Sequence, residues 1–262
     1  MMFIDNPLTK VLYTIEPAQV VDVLGVHVPI ISKDELTNRF RNLLLADTKG
    51  WISYVNVHAI NLANNIPWFK EFLNNSLITY CDGVGVSYAI KILYNEHQDR
   101  IALSDWIYDI CAEIEQAGKR VFLLGSTPQV VSTAVINLQL LFPRLQIAGS
   151  YHGYFSSNEE AIIVELINSC KVDVLIVSMG MPKQEEWIQK YFHDLNVKIT
   201  LNGGFVLEFV AGAKKRCPRW LSNLGLEWLF RLLQEPRRLW RRYLIGNPLF
   251  LWKVLVHRIS SK

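Results

Sequence analysis

From about residue 51 to residue 203, short apolar runs alternate with longer stretches in which apolar residues recur every three or four positions. The runs WISYVNV (51–57), SLITYC (76–81), RVFLLG (120–125), LQIAGS (145–150), VDVLIVSMG (172–180) and VKITLNG (197–203) favour β-structure and predict strands. Helical periodicity fills the intervals at 60–73, 84–93, 105–116, 128–141, 158–169 and 183–192. Strands that are continuously apolar must be covered on both faces. Alternation with helices therefore predicts an α/β, Rossmann-like fold, a mostly parallel sheet with helices on both faces. After Arg216 the strand pattern stops. Helical segments follow at 218–234, 236–245 and 248–259, and prolines 218, 236 and 248 suit the first turn of each. In the first of them Leu221, Leu224, Trp228 and Leu232 share one face. The chain thus divides into an α/β catalytic domain, residues 1–215, and a helical C-terminal appendage, residues 216–262.

Charge sharpens this division. Net charge is +3 over 262 residues, yet from Lys214 onward there are 12 basic and 2 acidic residues, against 15 basic and 22 acidic before it. Four of the eight tryptophans, 220, 228, 240 and 252, lie in the tail. Basic residues interleaved with Trp, Leu and Phe suit a membrane interface better than nucleic acid, so no nucleic-acid partner is expected. The longest uncharged run, 121–143, contains Gly125, Ser126, Thr127 and Pro128 and reads as strand, loop and helix rather than a membrane span. The N-terminus lacks a basic start followed by an apolar stretch, which predicts a cytoplasmic location. Cys81, Cys111, Cys170 and Cys217 are far apart and read as reduced thiols. No metal is expected, because no His/Asp/Glu cluster has ligand spacing, and no cofactor is implied.

In such sheets ligands bind at the carboxyl ends of the strands, and four ends carry unusual residues. VNVHAIN places Asn56 and His58 after a strand. ITYCDGVGV places a lone acid, Asp82, before Gly83 and Gly85. Asp82 is either a general base or the cap of the next helix. LLGSTPQVV ends a strand in Gly125-Ser126-Thr127-Pro128, which is either an ordinary turn or backbone N–H groups offered to a phosphate. VSMGMPKQEEW offers Gly180, Pro182, Lys183 and Gln184, where Lys183 would face a phosphate and Gln184 a base or sugar edge; the bland alternative is a solvated helix start. His58 and His152 read more simply as satisfied core or loop side chains. A nicotinamide-dependent oxidoreductase is the competing function on such a sheet, and the missing GxGxxG counts against it.

The motifs CDGVGV, GSTPQVV, GSYHGYF, SMGMPKQEEW, NGGFVLEFVAGAKKRCPRW and GLEWLFRLLQEPRRLWRRYLIGNPLFL, in this order, resemble the WecG/TagA/CpsF glycosyltransferases, glycosyltransferase family 26. The resemblance covers about residues 20–258. It implies an inverting, metal-independent transfer of a hexosyl residue from a UDP-sugar to a polyprenyl (undecaprenyl)-diphosphate-linked sugar, in bacterial surface or exopolysaccharide synthesis. It places the family's base on Asp82, within DG-x-G. The family's Thr-x-Asn falls on Tyr54-Val55-Asn56, with tyrosine in place of threonine, and its Arg-x-x-Gly-Ser-Asp falls on 100–105, with Leu103 in place of glycine. Gln184 is expected near the nucleotide sugar. Arg231, Arg237, Arg238, Arg241 and Arg242 are the candidates for the diphosphate. The appendage implies peripheral attachment to the inner face of the plasma membrane, or packing on a second copy.

Overall fold

The computed structural model describes residues 18–218, 220–221 and 224–260. A hairpin comes first. β1 (Val20–Val23) and β2 (Val26–Pro29) pair antiparallel across Leu24-Gly25, whose φ values of 55° and 88° match the twist of the flanking strands. α1 (Lys33–Leu45) follows, its first turn capped by the Ser32 side chain, which accepts from the Glu35 N–H. None of these three elements is among the predicted ones.

Six strands build the central sheet: β3 (Gly50–Val55), β4 (Ile78–Cys81), β5 (Arg120–Gly125), β6 (Gln146–Tyr151), β7 (Val174–Ser178) and β8 (Ile199–Asn202). All pair in parallel, in the order β4-β3-β8-β7-β5-β6. Each predicted strand window overlaps one of them, with β3 starting one residue before its window and β6 ending one residue after. Side chains alternate between the two faces: on β7, Val174 and Ile176 pack with Phe40, Trp106 and Ile110, while Leu175 and Val177 pack with Phe69, Phe72 and Trp187. Burial on both faces is the cause of the continuous apolar runs.

The helices of the body are α2 (Val57–Ala63), α3 (Pro67–Asn74), α4 (Val84–Tyr94), α5 (Leu103–Gln116), α6 (Pro128–Leu141), α7 (Glu160–Ser169), α8 (Lys183–Tyr191) and α9 (Val206–Val210). The single predicted helix over 60–73 is two, because Pro67 has no N–H to continue α2 and instead opens α3.

The tail departs from prediction twice. Gly225 turns the chain at φ 73° and interrupts the helix expected over 218–234: residues 220 and 221 are helical, and helix resumes as α10 (Glu227–Gln234). The expected apolar face is broken accordingly: Leu232 is buried and Leu224 is 64% exposed. Farther on, α11 (Pro236–Trp240), a π-helical turn (Arg241–Ile245) and α12 (Gly246–Ser260) run on without the break expected before Pro248. The Gly246 N–H bonds the Arg241 carbonyl, five residues back, and this widened turn accommodates a proline that cannot donate. α12 buries Phe250 and Val254 in the cluster that includes β7's Leu175 and Val177, each worth about 1.5–3 kcal/mol. Asn61 Nδ2 donates to the Gly246 carbonyl at 2.9 Å and Arg258 Nη1 to the Leu93 carbonyl at 2.6 Å. The tail is thereby fastened over the carboxyl ends of the strands.

Candidate active site

Three adjoining cavities lie between those strand ends and the tail. One of about 190 Å³ is lined by Tyr54, Asn56, His58, Asp82, Gly203, Gly204, Phe205 and tail residues Arg231, Arg238 and Arg242. A second, of about 300 Å³, shares Asn56, His58, Asp82, Arg231 and Arg242 and is otherwise largely apolar, with Val57, Val84, Tyr88, Trp228, Phe250 and Leu251. The third, about 450 Å³, lies beyond Arg231 and Arg242, between Phe205 and Phe209 of the body and the 214–217 segment.

Asp82 sits where the first two meet. Its N–H donates to the Val55 carbonyl at 2.9 Å, which ties the ends of β4 and β3 together. Its Oδ1 accepts from the Leu103 N–H at 3.3 Å, at the start of α5. It makes no cap to α4, whose N-cap is Gly83 without a side-chain bond, so capping of the next helix is not its role. The glycines have a different reason. A Cβ on Gly83 would stand 2.8 Å from Asn56 Cα, and one on Gly85 would collide with Val57 Cγ2. The close approach in DG-x-G is between two loops of the protein itself.

Electrostatics around Asp82 are organised by the tail. Arg100 Nε donates to the Asp82 carbonyl at 3.2 Å, and Arg100 forms an ion pair with Glu227, which also pairs with Arg231. Burial pushes the Asp82 carboxyl up to about 6, against the pull of Arg100 and Arg231. Burial also pushes Glu227 up, but Arg231 and Arg100 outweigh it and hold that carboxylate below its usual range. His58 is pushed down to about 4 by burial and by Arg242 and Arg238, so it is neutral at neutral pH and a weak proton acceptor. Burial also lowers Arg242, whose Nε has no hydrogen-bond partner; among the described residues no carboxylate pairs with it. Burial, with Glu185 and Asp82 nearby, pushes the Tyr54 phenol well above its usual value.

The structure brings together Asp82, Asn56, Gly83, Arg231 and Arg238 of the expected residues. Asn56 Oδ1 caps α2, accepting from the His58 and Ala59 N–H groups. Others lie elsewhere. Gln184 does not face the cleft: it is 0% exposed, and its amide is bonded wholly within the protein. Lys183 Nζ turns away to the Gly153 carbonyl at 2.9 Å and lies over the Phe155 ring. Pro182 closes the cis peptide after Met181, and it is Met181 that lines the small cavity. Gly125 and Ser126 do not form an open anion cradle. The Ser126 N–H is spent on the Ser178 carbonyl at 3.0 Å, the Thr127 side chain caps α6, and the carboxylate of Glu208 stands against Ser126. Arg237 and Arg241 are exposed and line none of the three cavities.

Glu227 was not singled out from the sequence. Its i,i+4 spacing to Arg231 on α10 is a local signal, but Arg100, which completes the cluster, comes from a distant part of the chain. The Gly203-Gly204 turn had a signal, NGG at the end of a predicted strand. Among the described residues no group of His, Cys, Asp and Glu could hold a metal ion.

The sequence model described as Glycosyl transferase WecG/TagA/CpsF family matches residues 21–262. Two proteins of Staphylococcus aureus, from strain MW2 and strain NCTC 8325 / PS 47, are each 31% identical over 237 residues, covering 89% of this chain and 91% of the relative. Both are named N-acetylglucosaminyldiphosphoundecaprenol N-acetyl-beta-D-mannosaminyltransferase.

Proposed function

Because the chain belongs to the WecG/TagA/CpsF glycosyltransferase family, we propose that this enzyme moves a hexosyl residue from a UDP-sugar to a polyprenyl-diphosphate-linked sugar, inverting the anomeric centre. N-acetylmannosamine is the first donor sugar to test and N-acetylglucosaminyl-diphosphoundecaprenol the first acceptor, after the relatives' names. The acceptor's hydroxyl oxygen attacks the anomeric carbon while Asp82 takes its proton. The bond from that carbon to the β-phosphate oxygen breaks, and UDP leaves with the electron pair. Arg242, Arg238 and Arg231 receive the charge on the diphosphate through paired N–H groups. The observation that carries this reading is that Asp82 and Arg242, a half-buried cation with no acid partner among the described residues, line the same two cavities. The polar cavity at Gly204 takes the nucleotide sugar, and the apolar one at Trp228 and Leu251 takes the acceptor.

Residues 216–262 serve as the membrane-docking part and residues 1–215 as the part that carries the base. Ile245, Leu249, Trp252, Val256 and Ile259, spaced by three and four, are all at least 41% exposed, and Arg237 and Arg241 are exposed just before them. No helix among the described residues is long and apolar enough to cross a membrane. This face therefore lies in the headgroup region of the inner leaflet; a second copy is the other partner that would cover it. Co-sedimentation with anionic vesicles, lost in Trp252→Glu, tests the docking. UDP release from a panel of UDP-sugars with a short polyprenyl-diphosphate sugar tests the transfer. Acceptor-dependent release from one donor is expected; no release from any donor in the presence of vesicles refutes it.

A further inference from the structure

Gln184 and Glu185 are adjacent in the first turn of α8, and both side chains are 0% exposed. Gln184 Oε1 accepts from the Gly180 N–H at 3.2 Å and the Gly204 N–H at 2.9 Å. Its Nε2 donates to Glu185 Oε1 at 2.8 Å, and Asn202 Nδ2 donates to that same oxygen at 2.8 Å. The two glycines come from different strand ends, Gly180 after β7 and Gly204 after β8. One amide thus joins two loops, and a carboxylate joins that amide to the end of β8.

We propose that Glu185 is a positioning residue for sugar transfer: it fixes which way the Gln184 amide faces, and the amide then holds the Gly204 turn at the floor of the cleft. This rests on the transferase reading above. The two ends of an amide are nearly alike in shape, so packing alone does not orient it. Burial raises the Glu185 carboxyl to about 7, but its Oε1 already takes the Asn202 N–H and any proton sits on the unpartnered Oε2, so in either state the oxygen facing Gln184 accepts and admits only the NH2 end. With that end committed, the carbonyl must face the two N–H groups. A flipped amide would set its NH2 against two donors and its oxygen against a carboxyl oxygen, in a site closed to bulk solvent. The turn held in this way is narrow. Gly204 has φ 58°, and a Cβ there would meet the Tyr54 hydroxyl at 2.5 Å, so the turn, Tyr54 and the cleft wall move together. Gln184 influences the nucleotide sugar through the Gly204 turn and the Tyr54 side chain, to which it also hydrogen-bonds, rather than by touching it.

The test is a reciprocal exchange. E185A and Q184E each break the network, the second by setting two carboxylates together. Q184E/E185Q rebuilds it with one bond reversed. The carboxylate at 184 accepts from both glycine N–H groups and from the amide at 185, whose oxygen accepts from Asn202. We expect each single change to lower kcat/KM for the nucleotide sugar by about 10- to 100-fold, through donor KM, with acceptor KM unmoved. Amide hydrogen exchange at Gly204 should speed up in both. The double variant should restore the kinetics to within about threefold and slow the exchange again. Wild-type kinetics in Q184E, a double variant no better than the singles, or a fall in melting temperature with donor KM unchanged would each overturn the proposal. If the wild type transfers no sugar from any UDP-sugar, the transferase reading fails, and the exchange rates alone judge the positioning.

Discussion

Asp82→Asn separates the chemistry of the central carboxylate from its burial. The side chain keeps its size, and its Oδ1 still accepts from the Leu103 N–H. In the folded protein burial raises the acid from its ordinary 3.8 to about 6, a difference of about two pH units. At about 1.4 kcal/mol per unit this is roughly 3 kcal/mol. The sign follows from linkage. An acid raised by folding contributes stability that is full below the unfolded value and lost as pH rises through about 6. At pH 7.5 the ionised Asp82 therefore costs the native state about 3 kcal/mol relative to its protonated form, and the neutral amide escapes this. For a chain of this size the melting temperature should rise by roughly 6–12 °C at pH 7.5, and the gain should nearly vanish at pH 4. Activity should move the other way. The wild-type rate should climb with pH to half its maximum near 6, and the variant should lose a factor of about 10²–10⁴ with UDP affinity unchanged. Scanning calorimetry at both pH values and a coupled UDP-release assay read the two effects. Residual activity within tenfold of wild type would refute the base. A lower melting temperature at pH 7.5 would refute the desolvation argument.

Three further outcomes follow from the same geometry. Arg242→Ala should raise donor KM about tenfold or more and let the His58 imidazole climb from about 4, a change that an NMR titration reads; an unmoved His58 would mean that burial alone sets its value. Glu227→Gln removes the acid that helps to hold Asp82 high, so the acid limb of the pH–rate profile should move below 6; an upward shift would contradict the arrangement of Arg100, Glu227 and Arg231. Gly83→Ala drives a Cβ to 2.8 Å from the Asn56 backbone and should cost more than about 1 kcal/mol in urea unfolding; an unchanged midpoint would mean that the two loops part freely.

The order of strands and helices along residues 51–203 was legible because the sheet is buried on both faces, so that each strand is a continuous apolar run. α1 was not read, although Ser32 and Glu35 stand three apart before apolar positions 36, 40 and 43, which is a capping signature. The β1–β2 hairpin escaped because its strands are four residues each and the Leu24-Gly25 turn lacks the usual Asn-Gly signal.

Asp82 was legible for a local reason: a charged residue between a buried strand and two glycines has few bland explanations. The sequence by itself also determined the family, because long motifs persist in order along one chain. Tertiary structure alone decided which arginines meet Asp82. Helical spacing places the five candidate arginines along the tail, but only docking through Phe250 and Val254 turns Arg231, Arg238 and Arg242 into the cleft and leaves Arg237 and Arg241 outside. The same holds for Gln184 and Glu185. A polar helix start reads as solvated until the β7 and β8 loops close over it, because local sequence records what a residue can bond but not which distant backbone groups will be brought to it.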